Sequence, residues 1–510
     1  MYPFIIFGGF LLIIIKSWQW CFKRPLGCPP GPPRMPVLGS YLQLLFTNYK
    51  HLHKAALKLS ERYKSKVISF YLGSVLVYAV HDPNGIKEVL SSASFEGRPG
   101  LFLSLMRHPE MKTAGIFFND GHVWREQRWF FLRYLRDFGY GRRFQTFEQV
   151  ISEEVQDLVN LLREGPKYSH EKRVVKGNRF LAPTVFMPFS TNTFFEVLFK
   201  ERYPRSEHYK LDTLSESGAL FARETSEYGR LLSMIPWIRF FFPKWSGYNS
   251  LMNANIPQYN FFKRKVEYYI KNFTNFDEED PSFMDLYIRE LKKDKIQDGF
   301  EIDQFIFNCM DFTLPANTGF PAQMSMILQW LQIRPMVVRK IQEEIDSVVG
   351  NSRLPSLDDR KKMPYTEACL REGMRIATLL PSSVVHLATE DTTILGYNVP
   401  KNTPIIGSLH ALHFSKDIWD DPKEFRPERF LDSEGNLCLS KDKSLPFGAG
   451  KRLCPGETFA RNLMFLMITG LLQNINLEVR EGDTICNPLD NFTGIITIPD
   501  DFWISYTCRN

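Results

Sequence analysis

Phe447-Gly448-Ala449-Gly450-Lys451-Arg452-Leu453-Cys454-Pro455-Gly456 decides how the rest of the chain is read. Two glycines allow tight backbone turns ahead of the cysteine. A helical pattern follows from about Glu457 to Leu472, with Phe459, Leu463, Leu466 and Met467 along its apolar side. Cys454 therefore stands just before a helix N-terminus, where free N–H groups and the helix dipole favour a thiolate. Arg452 adds positive charge two residues away. Other readings of the loop fit less well. The Gly-Ala-Gly-Lys fragment lacks the spacing of a phosphate-binding loop and is followed by Arg, not Ser or Thr. A cysteine nucleophile needs a base nearby, and no local residue offers one. A buried structural cysteine is the ordinary alternative.

The surrounding chain has 510 residues, 44% of them hydrophobic and 24% charged, enough for a large core. Its 43 Phe residues suit a protein that encloses a large flat apolar object, though a large core explains them equally well. A net charge of +6, from 63 basic and 57 acidic residues, is too dilute to argue for nucleic acid. Eight cysteines form no C-x-x-C pair, and the chain is too long for a disulfide-stapled miniprotein. Reduced thiols in a cytosol-facing protein are the expectation.

Met1 to Ile15 carry no charge and are almost wholly apolar, and Lys16, Trp18, Trp20 and Phe22 precede Lys23-Arg24. A bilayer core takes about 20 helical residues. Residues 1–22 reach that length if Lys16 snorkels, with the tryptophans in the aromatic belt and Lys23-Arg24 cytosolic. A cleaved signal peptide fits less well, for want of a basic n-region and a small-residue cleavage site. The predicted organisation is an anchor over 1–22, a Pro-rich linker over 23–40 acting as a stiff spacer, and one domain over 41–510. Strands are predicted at Val67 to Tyr71 and Val75 to Val80. Helical patterns dominate later, as in Met336 to Val349, where Ile341, Ile345 and Val348 form an apolar stripe. The fold class is mainly α with a small β region (α+β). Leu231 to Tyr248 is too short and interrupted to span a bilayer, and reads as either an interfacial segment or core. Two sequons, at Asn272 and Asn491, stay unmodified in a cytosolic domain.

The cysteine loop resembles the cytochrome P-450 signature F-x-x-G-x-R-x-C-x-G through Phe447, Gly450, Arg452, Cys454 and Gly456. Further landmarks follow in that family's order, and the similarity runs from the anchor to the C-terminus. The resemblance implies the haem-thiolate fold, haem b (iron protoporphyrin IX) as cofactor and Cys454 as axial ligand. In that family the thiolate pushes electron density towards dioxygen and favours O–O cleavage. Glu372 and Arg375 fit E-x-x-R, and Pro427-Glu428-Arg429-Phe430 resembles P-E-R-F, which implies a buried charge triad of Glu372, Arg375 and Arg429. Trp124 and Arg128 fit W-x-x-x-R, whose members contact a haem propionate; Arg452 and His386 resemble the other propionate contacts. Two basic stretches would form a docking face for an acidic electron donor: Arg125, Arg128, Arg133, Arg136, Arg142 and Arg143, with Lys441, Lys443 and Lys451.

One helix departs from the pattern. The family's A-G-x-[DE]-T falls on Pro315-Ala316-Asn317-Thr318-Gly319, so Thr318 stands where the acid should be and Gly319 where the hydroxyl should be. Pro315 and Pro321 are predicted to break or kink the helix. Asn317 and Thr318 are the candidates for the oxygen side. Thr318 serves if the kink shifts the register, or a water or substrate hydroxyl carries the protons. Alternatively the protein does not activate dioxygen. The expected reaction is insertion of one oxygen atom into an apolar hormone-like, lipid or foreign molecule. Electrons would come from NADPH through NADPH-cytochrome P-450 reductase, with cytochrome b5 as a second donor. A single-pass anchor would hold the catalytic domain on the cytosolic side of the endoplasmic reticulum membrane. Two alternatives stay open: a haem-thiolate isomerase or dehydratase acting on a peroxide, and a haem-binding protein without turnover.

Overall fold

The computed structural model describes residues 16, 19–136, 145–273, 281–293, 299–483 and 485–509. The expected anchor falls almost wholly outside them, as do Arg142 and Arg143. Among the described residues no helix is long and apolar enough to cross a membrane.

Helix α1 (Leu52–Arg62) leads into a hairpin of β1 (Val67–Leu72) and β2 (Val75–Val80). Both strands are rich in β-branched and aromatic residues, and Gly73, at φ +61°, makes the turn between them. The chain continues through α2 (Gly121–Leu135), α3 (Asp212–Glu224) and α4 (Ile302–Leu314). A π turn over Pro315–Gly319 joins α4 to α5 (Phe320–Gln332), followed by α6 (Pro335–Val348) and α7 (Pro364–Ala377). Strands β3 (His386–Leu387) and β4 (Pro404–Gly407) complete a four-stranded sheet in the order β1-β2-β4-β3. In it β4 runs parallel to β2, with Tyr78 opposite Ile405. Helix α8 (Glu457–Asn474) and a hairpin of β5 (Phe492–Thr493) and β6 (Thr497–Ile498) follow towards the C-terminus.

The mainly helical architecture with a small sheet agrees with the sequence reading. The predicted strands lie at β1 and β2, and the apolar stripe of α6 buries Ile341 and Ile345 with Val348 half-buried. Helix α8 is buried along most of its length, including Phe459, Leu463, Leu466 and Met467. It packs with α4 and α5 in one large aromatic-rich core. The Pro-rich stretch lies along β1: Ser69 N–H donates to Pro30 O at 2.9 Å, and Ser40 N–H donates to Tyr71 O at 2.7 Å. A Cβ on Gly31 would stand 1.9 Å from the Ser69 carbonyl oxygen, so only glycine permits this approach. Within 231–248 two short helices leave Trp237, Phe240, Phe241, Phe242 and Trp245 exposed. The second sequon's Asn491 side chain is buried and donates to Gln329 Oε1 at 2.9 Å.

Candidate active site

A largely apolar cavity of about 290 Å³ lies between the α4–α5 region and the cysteine loop. Gly448 and Gly450 adopt φ +77° and +66°, and a Cβ on Gly450 would stand 2.5 Å from Leu90 O. These turns bring Cys454 N–H onto Phe447 O at 3.0 Å and leave Cys454 lining the cavity just ahead of α8. Burial pushes the Cys454 thiol up to about 11, against the opposing pull of the Gly456 N–H and the Arg128 charge. Desolvation is the larger effect on this thiol, and the Gly456 N–H and Arg128 act against it. A bound metal ion removes that proton outright. The nearby cation is different from the one expected. Arg452 turns away to stack 3.3 Å over the Trp124 ring, donating to Glu96 O at 2.8 Å and Asn119 O at 3.0 Å. Arg128, whose guanidinium donates to Leu453 O, is the cation that the thiol feels.

Arg452 and Arg128 share the cavity wall with Arg98, a residue that the sequence reading missed. Arg98 donates to Val385 O at 3.0 Å. Burial holds all three guanidinium groups below their usual range, and repulsion from neighbouring arginines adds to it for Arg98, at about 9, and Arg452, at about 8. Arg98 Nε and Trp124 Nε1 are buried without a hydrogen-bond partner. Buried donors and clustered positive charge are costly unless something accepts and neutralises them. A planar macrocycle with two carboxylates fits this donor set, and Cys454 offers the soft ligand for its iron. His386 lines the same wall, with Nδ1–H donating to Phe95 O at 2.6 Å. Burial, then the charge of Arg98, keeps His386 well below its usual range, so it is neutral.

The two residues expected on the oxygen side separate. Thr318 lines the cavity and its hydroxyl donates to Leu314 O at 2.6 Å. Asn317 turns to α3 instead, donating to Leu214 O at 3.0 Å, with its Oδ1 buried and unpartnered near Gly218. Gly319 lines the cavity with room for a Cβ, whose nearest neighbour would be Leu379 at 3.7 Å. Met310-Asp311-Phe312 fits the family's helix in sequence, but the pairing of the cavity residue Asp311 with buried Arg107 at 2.5 Å was missed.

Glu372, Arg375 and Arg429 come together in one cluster. Arg375 and Glu372 are fully buried and doubly hydrogen-bonded at 2.7 and 2.8 Å, and Arg429 Nε reaches Glu372 Oε1 at 3.1 Å. Arg375 also donates to His413 O and Pro422 O, which ties α7 to the segments flanking the cysteine loop. On the basic face, Arg125 and Lys451 both meet Glu96 at 2.9 Å, whereas Arg128 belongs to the cavity.

The family model for Cytochrome P450 matches residues 29–505. The chain is 32% identical to Cytochrome P450 2B15 of Rattus norvegicus, over 98% of this chain and 97% of that one. It is 30% identical to the farnesoate epoxidase of Bombyx mori, over 92% of each. It is 32% identical to Cytochrome P450 2E1 of Oryctolagus cuniculus, over 92% of this chain and 90% of that one. With the cysteine loop, the cationic edge and the buried triad in place, the chain belongs to the cytochrome P450 family and is a haem b monooxygenase.

Proposed function

We propose that this protein inserts one atom of dioxygen into an uncharged apolar molecule of hormone-like, lipid or foreign origin. Electrons come from NADPH through NADPH-cytochrome P-450 reductase docked at the face around Arg125 and Lys451, with cytochrome b5 as a second donor. The observation that carries the reading is one cavity in which Cys454 faces apolar walls and three guanidinium groups gather at one edge. Bound haem supplies the dioxygen chemistry. Cys454 Sγ holds its iron. Arg98, Arg128, Arg452 and Trp124 Nε1 hold its two carboxylates. Phe447, Gly450 and Gly456 shape the loop that presents the sulfur. His386 carries its proton on Nδ1, so it meets a propionate only after gaining a second proton, which a neighbouring carboxylate favours.

Among the described residues lining the cavity, no other cation remains to face a substrate carboxylate. That supports an uncharged substrate, although the relative from Bombyx mori is named for farnesoate. Thr318 and Ser383 supply the cavity's hydroxyl side chains, and Thr318 is on the π turn. It orders a water that moves protons during turnover. Residues 1–22 anchor the chain in the endoplasmic reticulum membrane with the catalytic domain cytosolic. The exposed aromatics of 237–245 suit contact with the headgroup region.

Gly319 and Thr318, standing where the family's hydroxyl and acid stand, favour a second reading: rearrangement or dehydration of a peroxide without a reductase. Anaerobic reduction under carbon monoxide, with dithionite against NADPH plus reductase, separates the two. The thiolate-type carbonyl spectrum from both reductants is the expected result. A spectrum with dithionite alone, even with apolar ligands present, overturns the proposal of electron supply through the reductase and moves the peroxide reading ahead.

A further inference from the structure

Away from the cysteine loop, the start of α1 grips two walls of the cavity at once. One wall is the C-terminal end of α3, which contributes Phe221 and Ala222; the other is the β5–β6 hairpin, which contributes Ile495 and Ile496. Just beyond α3, the Glu227 side chain is 2% exposed. It accepts the His53 backbone N–H at 2.7 Å and pairs with His53 Nδ1. On the hairpin side, His51 Nε2 meets Asp490 Oδ1 at 3.1 Å and His51 Nδ1 meets Thr493 Oγ1 at 3.2 Å. Lys50 reaches Asp490 at 3.0 Å, and Lys54 donates to Leu489 O at 3.1 Å. The His53 ring lies edge-on to His410 at 4.6 Å, which closes the cluster from a third element. The walls also touch each other. Ile495 N–H donates to Thr225 Oγ1 at 3.2 Å, and a Cβ on Gly494 would stand 1.9 Å from Ala222 O.

Stability alone does not call for such a cluster, since well-packed apolar side chains commonly serve as well as a buried polar pair such as His53–Glu227, and ion pairs on the half-exposed Asp490 add little. What a satisfied polar network adds is a fixed geometry between the segments that it joins. We infer that His51 and His53, through Asp490 and Glu227, are positioning residues that lock the end of α3 to the β5–β6 hairpin and so set the cavity's width for substrate. This rests on the reading of the cavity as the substrate chamber.

The test uses the full haem-loaded chain and the variants His51→Ala, Glu227→Ala and Glu227→Gln. Two iron-binding probes are compared by spectral titration: imidazole, and an imidazole bearing a biphenyl group long enough to reach both walls. Each Ala variant is expected to bind imidazole within about twofold of the unaltered protein but the biphenyl probe about tenfold more weakly. Glu227→Gln, which keeps an acceptor for the His53 N–H, should recover most of the loss. Hydrogen exchange without ligand should rise together at 221–228 and 491–496 in the Ala variants, with α8 still protected. Equal shifts for both probes, no shift for either, or exchange rising throughout α8 would overturn the inference. If the unaltered protein binds neither probe, the haem reading is what fails. Exchange then decides alone, and unchanged protection at 491–496 in His51→Ala sinks the clamp.

Discussion

Replacing Asp311 by Ala should loosen the cavity wall and lower the melting temperature by a predictable amount. Asp311 Oδ1 pairs with Arg107 Nη2 at 2.5 Å, and both side chains are 2% exposed. Its Oδ2 accepts the backbone N–H groups of Ile116 at 2.7 Å and Phe117 at 2.9 Å, and both residues line the cavity. Gly115, at φ +84°, lets this loop come so close that a Cβ there would lie 2.2 Å from Oδ2. In Asp311→Ala, Arg107 keeps a buried charge without a counter-charge, and its Nη1 already lacks a partner. Breaking a buried pair from one side costs about 3–5 kcal/mol. A melting entropy of about 2.1 cal/mol/K per residue amounts to about 1 kcal/mol/K for this chain, so the midpoint should fall by about 3–5 °C. Arg107→Met combined with Asp311→Leu removes both charges and should recover most of that loss. Scanning fluorimetry at matched haem content measures the midpoints. In Asp311→Ala the carbonyl spectrum should persist while a large azole binds more weakly, because Ile116 and Phe117 have lost their tether. A midpoint within about 1 °C of the unaltered protein, or a double variant no better than the single one, refutes the charge-pair reasoning.

Three further outcomes are expected. Cys454→Ser should abolish the thiolate-type carbonyl spectrum while leaving a folded chain, and a retained thiolate signature would remove Cys454 as ligand. Gly319→Thr has room at its Cβ and should lower peroxide release per NADPH consumed; unchanged release counts against proton supply from this turn. Burial pushes Glu227 up to about 8, so folding retains a proton there and this group's contribution to stability is lost as pH rises through that value. His53 is held well below its usual range by burial and opposes the effect only below about pH 6.5. Between pH 6.5 and 8 the unaltered protein should therefore lose up to about 1.4 kcal/mol per pH unit relative to Glu227→Gln, and parallel profiles would contradict the assignment.

What the sequence revealed was local and periodic. Cys454 is framed by Gly448 and Gly450, whose positive φ values make the loop's glycines necessary, so the motif and the geometry are one fact seen twice. Glu372 and Arg375 sit one turn apart on α7, and spacing alone puts both charges on one face. Arg98 and the pairing of Asp311 with Arg107 escaped because the partners are far away in the chain. Asp311 meets Arg107 across 204 positions, and no local pattern records that. The direction of Arg452 was also out of reach: two residues from the cysteine in sequence, its guanidinium stacks over Trp124 and donates to Glu96 O and Asn119 O from the cavity wall. The sign of the Cys454 shift depended on how deeply the cavity is enclosed, which a sequence does not state.

The atypical segment after α4 is best understood as one rearrangement. Pro315 and Pro321 have no N–H to give to the carbonyls four residues earlier, at Asp311 and Asn317. Two such losses six residues apart cannot be absorbed by a regular α-helix, and the turn widens until Phe320 N–H reaches Pro315 O, five residues back. Hydroxyl groups then serve the altered backbone: Ser190 donates to Ala316 O and Thr318 to Leu314 O, both at 2.6 Å. The widened turn leaves Asn317 facing α3 and Thr318 facing the cavity. The threonine one position early is thus the hydroxyl that this turn presents, and Gly319 leaves the space beside it open. A Gly319→Thr side chain would put a second hydroxyl into that space beside Thr318, so it asks a sharper question than removing Thr318. Lower leakage would mean that the turn merely lacks a second hydroxyl, whereas higher leakage would mean that the open space is itself the proton path.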